Sequence, residues 1–241
     1  MENNIENKAP KQDSRQIAGA IIVAGLLIAG AVLLRGSSDG VTTAGSNGAR
    51  KLNPSVAKTI GLNTKEFSAC LASGKFADKV QADIDDGVKA GVTGTPSSFI
   101  VMNGKVVETI PGAQPLKEIV NALDQLEIKN APLPVTIRPI SPDEHIFGNP
   151  NGKFIIVEYS DLECPYCKQF HATMHSLVAE KSNVGWVYRH YPIPQLHSKA
   201  PHESEASECA WEQGGNEAFW KYVDKIYQIT PSNNGLDEKE L

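Results

Sequence analysis

The stretch FIIVEYSDLECPYC, residues 154–167, sets two cysteines two positions apart shortly after an apolar run. This order predicts a strand, a tight turn and a helix, with Cys164 at the N-terminus of the helix. Unpaired backbone N–H groups and the helix dipole favour a thiolate over a thiol at that position. Because the thiolate is the species that attacks a disulfide, Cys164 and Cys167 predict thiol–disulfide exchange.

An uncharged apolar segment lies near the N-terminus. Residues 17–34 carry no charge, and as a helix they would span roughly 27 Å, close to the ~30 Å core of a bilayer. Three basic residues precede this segment and only Arg35 follows it closely. This excess of basic residues on the N-terminal side predicts a single-pass anchor in the cell membrane, with the N-terminus in the cytoplasm and the catalytic part outside. A cleaved signal peptide is the alternative, although Arg35 interrupts the region where cleavage would occur.

The chain contains four cysteines. Outside the cytoplasm an even number of cysteines favours pairing into bridges. With Cys164 and Cys167 as the local pair, Cys70 and Cys209 remain for a second, structural disulfide. Two buried free thiols are the alternative.

Composition limits the class of protein. Of the 241 residues 41% are hydrophobic, which is enough for a substantial core, and the net charge is −5. Lysine and arginine are scattered without a basic stripe, so the sequence predicts no nucleic-acid partner.

Hydrophobic periodicity divides the exported part into two blocks. The first block begins with short helices near 63–74 and 76–87. Strands at 97–102 and 105–110 follow, with the turn sequence Asn103-Gly104 between them, and a helix at 116–123 ends the block. In the second, the strand and cysteine helix precede a strand at 184–191 and helices at 206–211 and 219–229. The predicted organisation is a tail (1–16), an anchor (17–34), a flexible Gly/Ser/Thr-rich tether (35–51), the first block (52–128), a proline-rich extended linker or edge strand (129–142) and the second block (143–241).

A β-α-β unit with C-x-x-C and a β-β-α unit are the two halves of a thioredoxin fold. The β-β-α half normally begins with a cis-proline whose loop lies against the cysteine pair, and Thr95-Pro96 stands in that place before the 97–102 strand. Thr95 would then offer its backbone to a substrate strand beside Cys164. A proline that merely opens a strand is the alternative.

Four further segments resemble the DsbA-like thiol oxidoreductases of the bacterial cell envelope. They are EYSDLE at 158–163, YRHYP at 188–192, CAWEQG at 209–214 and FSACL at 67–71. The resemblance covers most of residues 52–241. It implies an α/β, thioredoxin-like fold with an inserted helical subdomain.

The order of the halves departs from that family, in which the C-x-x-C half comes first. Here the cis-proline half comes first, and residues 236–241 resemble an unfinished helix whose continuation lies near 52–61. This pattern predicts a circular permutation. Folds tolerate such a rearrangement when the original termini lie close together and the new break falls at an exposed site. A gene-assembly artefact, or a fold completed by a second copy of the chain, are the alternatives.

Residue roles follow from the motif and the resemblance. Cys164 is the expected nucleophile and Cys167 the buried partner that resolves the mixed disulfide, while Pro165 and Tyr166 tune the stability of the thiolate. The resemblance places at Glu158 a buried carboxylate that assists proton transfer near the resolving thiol; an ordinary strand glutamate is the alternative.

The expected function is a membrane-anchored protein disulfide oxidoreductase, most simply an oxidase that introduces disulfides into reduced, unfolded exported proteins. The resemblance implies a DsbB-like or VKOR-like membrane partner that reoxidises it. A disulfide reductase or isomerase of the same fold, and a tethered binding or holdase module, are the alternatives. No cofactor is expected. No metal is expected either, because the spacing of five histidines, His171, His175, His190, His197 and His202, forms no site with the two cysteines.

Overall fold

A five-stranded sheet organises the part of the chain that the computed structural model describes, residues 55–241. The predicted tail, anchor and tether at 1–51 lie outside the described residues. Within 55–241 no helix is both long enough and apolar enough to cross a membrane.

The helices and strands include those expected in the two blocks, together with α1 and β3, which were not predicted. They are α1 (Val56–Thr59), α2 (Thr64–Ser73), α3 (Ala77–Ala90), β1 (Ser97–Met102), β2 (Lys105–Pro111), α4 (Leu116–Ile128), β3 (His145–Gly148), β4 (Phe154–Ser160), α5 (Pro165–Glu180), β5 (Val184–His190), α6 (Ala200–Ile229) and a 3₁₀ turn (Glu238–Glu240).

The sheet joins both halves of the chain. Its strand order is β2-β1-β4-β5-β3, with β4 and β5 parallel and every other pair antiparallel. The pairing of β1 with β4, in which Ser98 lies opposite Glu158, brings the first block against the second. The β1–β2 hairpin turns at Asn103 and Gly104, whose φ angles of 52° and 73° suit a primed turn.

Alternation along β4 sends its side chains to two cores. Ile156 belongs to the larger core beneath α4, α5 and α6, whereas Val157 and Tyr159 belong to a smaller core on the opposite face. Glu158 follows the parity of Ile156, so its side chain faces the layer that contains the cysteine helix.

The linker at 129–142 is extended and contains no strand. Its residues Leu133, Val135, Ile137 and Ile140 cover the smaller core. Proline cannot donate to a ladder, which agrees with the absence of strand pairing in this proline-rich segment. The edge strand beside β5 is instead β3, a four-residue strand that the sequence analysis did not predict because it is too short to show a period.

Two helical predictions differ from the structure in their bounds. The helices expected at 206–211 and 219–229 are both present within α6, on either side of non-helical backbone at Gly214 and Gly215, and the first begins earlier than expected, at Ala200. The final segment forms only a 3₁₀ turn, and the carbonyl oxygen of Leu241 accepts a hydrogen bond from the N–H of Ala57 at 3.3 Å. The described end of the chain therefore contacts α1.

Candidate active site

A buried aspartate organises the turn between β4 and α5. The backbone oxygen of Asp161 accepts from the N–H of Cys164 at 3.1 Å, and its Oδ1 accepts from the N–H of Glu163 at 2.8 Å. Its Oδ2 lies 2.9 Å from the N–H of Ile193 and 2.9 Å from Nδ1 of His197. These contacts hold the turn in one conformation, and they fix where Cys164 begins the helix.

Cys164 is the N-cap of α5 and Pro165 is the first helical residue. Proline suits this position because the missing N–H would have no helical partner. Tyr166 projects from the same turn with 64% of its surface exposed. The redox dipeptide thus places an aromatic side chain on the surface directly beside the first cysteine.

The Thr95–Pro96 loop reaches the cysteine pair from the other half of the chain. The peptide bond between the two residues is cis. The Cys164 thiol donates to the carbonyl oxygen of Thr95, with Sγ and oxygen 3.5 Å apart. A hydrogen bond of 3.0 Å from the Tyr191 hydroxyl to the Val92 carbonyl holds the chain just before this loop. The structure therefore brings together Thr95, Pro96 and Cys164 within one chain.

The two thiols differ strongly in acidity. A hydrogen bond from Cys167 lowers the pKa of Cys164 to about 6, against burial, and backbone N–H groups of Cys167 and Tyr166 act in the same direction. Burial raises the pKa of Cys167 well above its usual range, and the neighbouring Cys164 adds to the effect. Cys164 is 5% exposed and Cys167 is 0% exposed. Near neutral pH the arrangement holds a thiolate at Cys164, the less buried of the two, and a thiol at Cys167 beneath it.

Glu158 lies buried in the layer below the dithiol. Burial raises the pKa of Glu158 to about 7, while the indole N–H of Trp186 donates to its Oε2 at 2.9 Å. The carboxylate also contributes to the raised pKa of Cys167. A carboxyl group that titrates near neutrality, close to a thiol that must gain and lose a proton, suits proton transfer.

Cys70 and Cys209 form a disulfide between α2 and α6, with their Cα atoms 5.9 Å apart. Cys164 and Cys167 are both free thiols. The four cysteines therefore occupy two separate places in the fold, one structural and one chemical.

The sequence analysis missed several polar residues around the turn. Burial acts to lower the pKa of His197, but the hydrogen bond to Asp161 outweighs burial and raises this pKa. Next to Cys164, Glu163 accepts from the hydroxyl of Thr230 at 3.1 Å. Burial and the adjacent Glu163 raise the pKa of Glu203 to about 10, so Glu203 is protonated at neutral pH. The only available signal was the unusual density of acidic residues in EYSDLE.

Two family models match the chain. The model described as "DSBA-like thioredoxin domain" matches residues 5–124, and the model described as "Thioredoxin" matches residues 141–239. The first match contains the Thr95–Pro96 loop and the second contains the cysteine pair.

Sequence comparison finds similarity to segments of Na(+)/H(+) antiporters. NhaA 3 of Salinispora tropica is 39% identical over 89 residues, which cover 36% of this chain and 13% of the antiporter. NhaA of Herminiimonas arsenicoxydans is 33% identical over 102 residues, covering 41% of this chain and 16% of the antiporter. The chain thus spans only a small part of the length of these curated relatives.

Among solved structures, the chain is similar to Pseudomonas aeruginosa DsbA2. The match has 31% sequence identity and a TM-score of 0.40, and it covers 43% of this chain and 57% of that one. The two family models together span both halves of the fold, and they agree with the sequence motifs at the dithiol: the chain is a DsbA-like protein of the thioredoxin fold.

Proposed function

We propose that the chain is a protein thiol–disulfide oxidoreductase that acts as an oxidase through Cys164 and Cys167. The observation that carries the proposal is the pairing of a Cys164 thiol of pKa about 6 with a buried Cys167 of raised pKa. A stabilised thiolate favours the reduced form of the pair, so the disulfide form is a stronger oxidant.

The exchange proceeds in two steps. A substrate thiolate attacks Sγ of Cys164, the Cys164–Cys167 bond breaks, and the Cys167 thiolate takes a proton. A second substrate thiolate then attacks the substrate sulfur of the mixed disulfide and releases the Cys164 thiolate. The substrate leaves with a new disulfide and the protein keeps both electrons as a dithiol. Cys164 is the better leaving group because its thiolate is the more stable one.

Groups beside the dithiol transfer the proton and contact the substrate. Glu158 carries the proton that Cys167 gains in the first step and loses on reoxidation. Thr95 presents its backbone to an extended substrate segment beside Cys164, and exposed Tyr166 offers that segment an aromatic contact. Backbone pairing of this kind is independent of substrate sequence, which suits reduced, unfolded proteins.

We further propose a circularly permuted order and a membrane location. Two observations support the permutation. The cis-proline half, which comes first in the chain, and the C-x-x-C half, which comes second, contribute strands to one sheet. Leu241 also contacts Ala57. The proposed anchor is the uncharged segment at 17–34, with the dithiol on the extracytoplasmic side and a DsbB-like or VKOR-like membrane protein as reoxidant.

The reduction potential against glutathione tests the direction of the reaction. A potential of about −120 mV supports the oxidase, and a potential of about −270 mV supports a reductase of the same fold. Oxidation of a reduced, unfolded protein should be lost in Cys164→Ser. Full function in Cys164→Ser would instead indicate a tethered binding or holdase module.

A further inference from the structure

Histidines and carboxylates meet at two places away from the dithiol. The chain has six histidines, all within residues 55–241. Four of them lie in two groups whose ligating atoms are within 4.8 Å of one another: His171, His175 and Asp224, and His145, His190 and Glu208.

The first group lies between α5 and α6. His171 and His175 are one helical turn apart on the same face of α5, and Asp224 projects from α6. Nε2 of His171 lies 2.7 Å from Oδ1 of Asp224, and Nε2 of His175 lies 2.8 Å from the same oxygen. The two Nε2 atoms are 3.2 Å apart. Three ligating atoms thus converge on one point from two elements of the fold.

These separations approach those of an occupied site. A tetrahedral ion with bonds of about 2.0–2.1 Å holds its ligand atoms roughly 3.3 Å apart. The distances from Oδ1 of Asp224 to the two Nε2 atoms, 2.7 Å and 2.8 Å, need to widen by about half an ångström, and the 3.2 Å between the two Nε2 atoms needs almost no change. Small rotations of the exposed side chains supply that change, since 44% of the Asp224 side chain and 30% of the His175 side chain are exposed.

One ligand is held in place by packing. The His171 side chain is 8% exposed, and its ring lies 5.1 Å from that of Trp186 and 6.3 Å from that of Trp220. This packing fixes the ring with its Nε2 directed at Asp224.

The two groups differ in whether a protein cation already occupies the centre. In the second group, Nζ of Lys79 lies 2.6 Å from Oε1 of Glu208 and 2.8 Å from Nε2 of His145. That ammonium supplies the positive charge which an ion would bring. Among the described residues, Asp224 is within hydrogen-bond distance of His171 and His175 and forms no ion pair with a lysine or arginine.

We propose that His171, His175 and Asp224 form a binding site for a divalent transition-metal ion that prefers imidazole nitrogen, such as Zn²⁺ or Ni²⁺. Two nitrogens and one carboxylate oxygen leave at least one coordination position for water. The ion would join the helix that begins at Cys164 to the helical insertion. The site was not predicted because the histidines were weighed only against the cysteines, and Asp224 is 49 positions beyond His175.

The test uses the full chain with Cys164 and Cys167 oxidised to a disulfide, so that no free thiol competes for the metal. Calorimetric titration with Zn²⁺ is expected to give one ion per chain. Ni²⁺ is expected to quench tryptophan fluorescence, because the rings of Trp186 and Trp220 lie 5.5 Å and 6.4 Å from that of His175. Affinity should fall as the solution is acidified and the histidines gain protons.

Matched substitutions identify the ligands. His175→Gln and Asp224→Asn should each weaken Zn²⁺ binding at least about tenfold and remove most of the quenching by Ni²⁺. His202→Gln, at an exposed histidine outside both groups, should leave both signals unchanged. Circular dichroism of the metal-free variants checks that each is folded. Absence of Zn²⁺ binding to the unchanged chain overturns the proposal, and so does unchanged affinity in His175→Gln and Asp224→Asn.

Discussion

Cys164 derives its acidity from a neighbouring thiol. The hydrogen bond from Cys167 is the largest contribution that lowers its pKa to about 6, and the side chain is nonetheless almost wholly buried. Two cysteines of one motif therefore serve different purposes: one is held as an anion, and the other donates the hydrogen bond that makes the anion stable.

Alkylation of the reduced protein should follow this difference. The rate at which iodoacetamide modifies Cys164 is expected to rise with pH through a midpoint of about 6, while Cys167 remains unmodified because it is buried and protonated. Cys167→Ala should move the midpoint upward, since it removes the hydrogen bond. Rates measured from about pH 4 to about pH 9, with the modified peptide identified by mass spectrometry, check both statements. A midpoint near the ordinary cysteine pKa of about 8.5 in the unchanged protein contradicts them.

Glu158 should make the reduced protein less stable as pH rises. Its pKa is raised from 4.5 to about 7 in the folded protein, so between those values the folded state holds the proton more firmly than the unfolded state does. Stability is therefore full below the unfolded pKa and is lost as pH rises through the folded pKa. Glu158→Gln keeps an acceptor for Trp186 but cannot ionise. It should raise the free energy of unfolding near pH 8 by an amount on the order of 3 kcal/mol, and it should slow thiol exchange.

Denaturant unfolding of the reduced protein at several pH values measures the free energy of unfolding in Glu158→Gln. Stopped-flow fluorescence during reduction by a dithiol measures the rate of thiol exchange. Glu180→Gln, at an exposed glutamate on α5, serves as the control and should change neither. An unaltered pH dependence of stability in Glu158→Gln would exclude Glu158 as the titrating group.

At the scale of elements, the disulfide between Cys70 and Cys209 joins two helices that come from opposite ends of the described chain. The bridge closes a loop of 139 positions between α2 and α6. Replacing both cysteines by alanine is expected to lower the free energy of unfolding by up to roughly 4–5 kcal/mol, because the unfolded chain regains the entropy of that loop.

Chemical denaturation with the active-site pair kept in one redox state checks this expectation. Ser68→Ala, at an exposed position on α2, is the control and should have little effect. The reduction potential of Cys164 and Cys167 should stay unchanged, since the bridge is not part of the dithiol. Equal midpoints of denaturation with and without the bridge contradict the prediction.

Elements with a strong local signal were the predictable ones. The β1–β2 hairpin and the cysteine helix follow from Asn103-Gly104 and from the apolar run before Cys164. The four residues of β3 have no such signal, because a strand at the sheet edge is defined by its partner β5. The two helices of α6, on either side of Gly214 and Gly215, were predicted, but the start of the first at Ala200 was not, because residues 200–205 have almost no apolar side chains.

At the scale of the whole molecule, the order of the two halves should not matter for the fold. A chain rearranged so that residues 1–51 are followed by 143–241 and then by 52–142 keeps both sides of the sheet and brings the Leu241 segment into direct continuity with the Ala57 segment. It is expected to show the same circular dichroism and the same reduction potential as the original chain. The segment at 129–142, which covers the smaller core, stays attached to the first block, so little loss of stability is expected.

A rearranged chain that stays unfolded while the original chain folds would exclude a simple permutation. Sedimentation of the original chain distinguishes the remaining alternative, in which a second copy completes the fold. The contact between Thr95 and Cys164 within one chain favours a monomeric site.

The sequence by itself identified the candidate dithiol and most elements of the fold. C-P-Y-C after an apolar run, the Asn-Gly turn and Thr95-Pro96 each depend on local preferences of a few residues, and these are readable without a structure. Tertiary structure decided how the parts act together. It set the distance between Thr95 and Cys164 and the burial of Glu158, and it alone bound His197 to Asp161 and brought Asp224 to His171 and His175. Acidity and ligation depend on burial and on distances of a few ångströms, and packing between distant segments sets both.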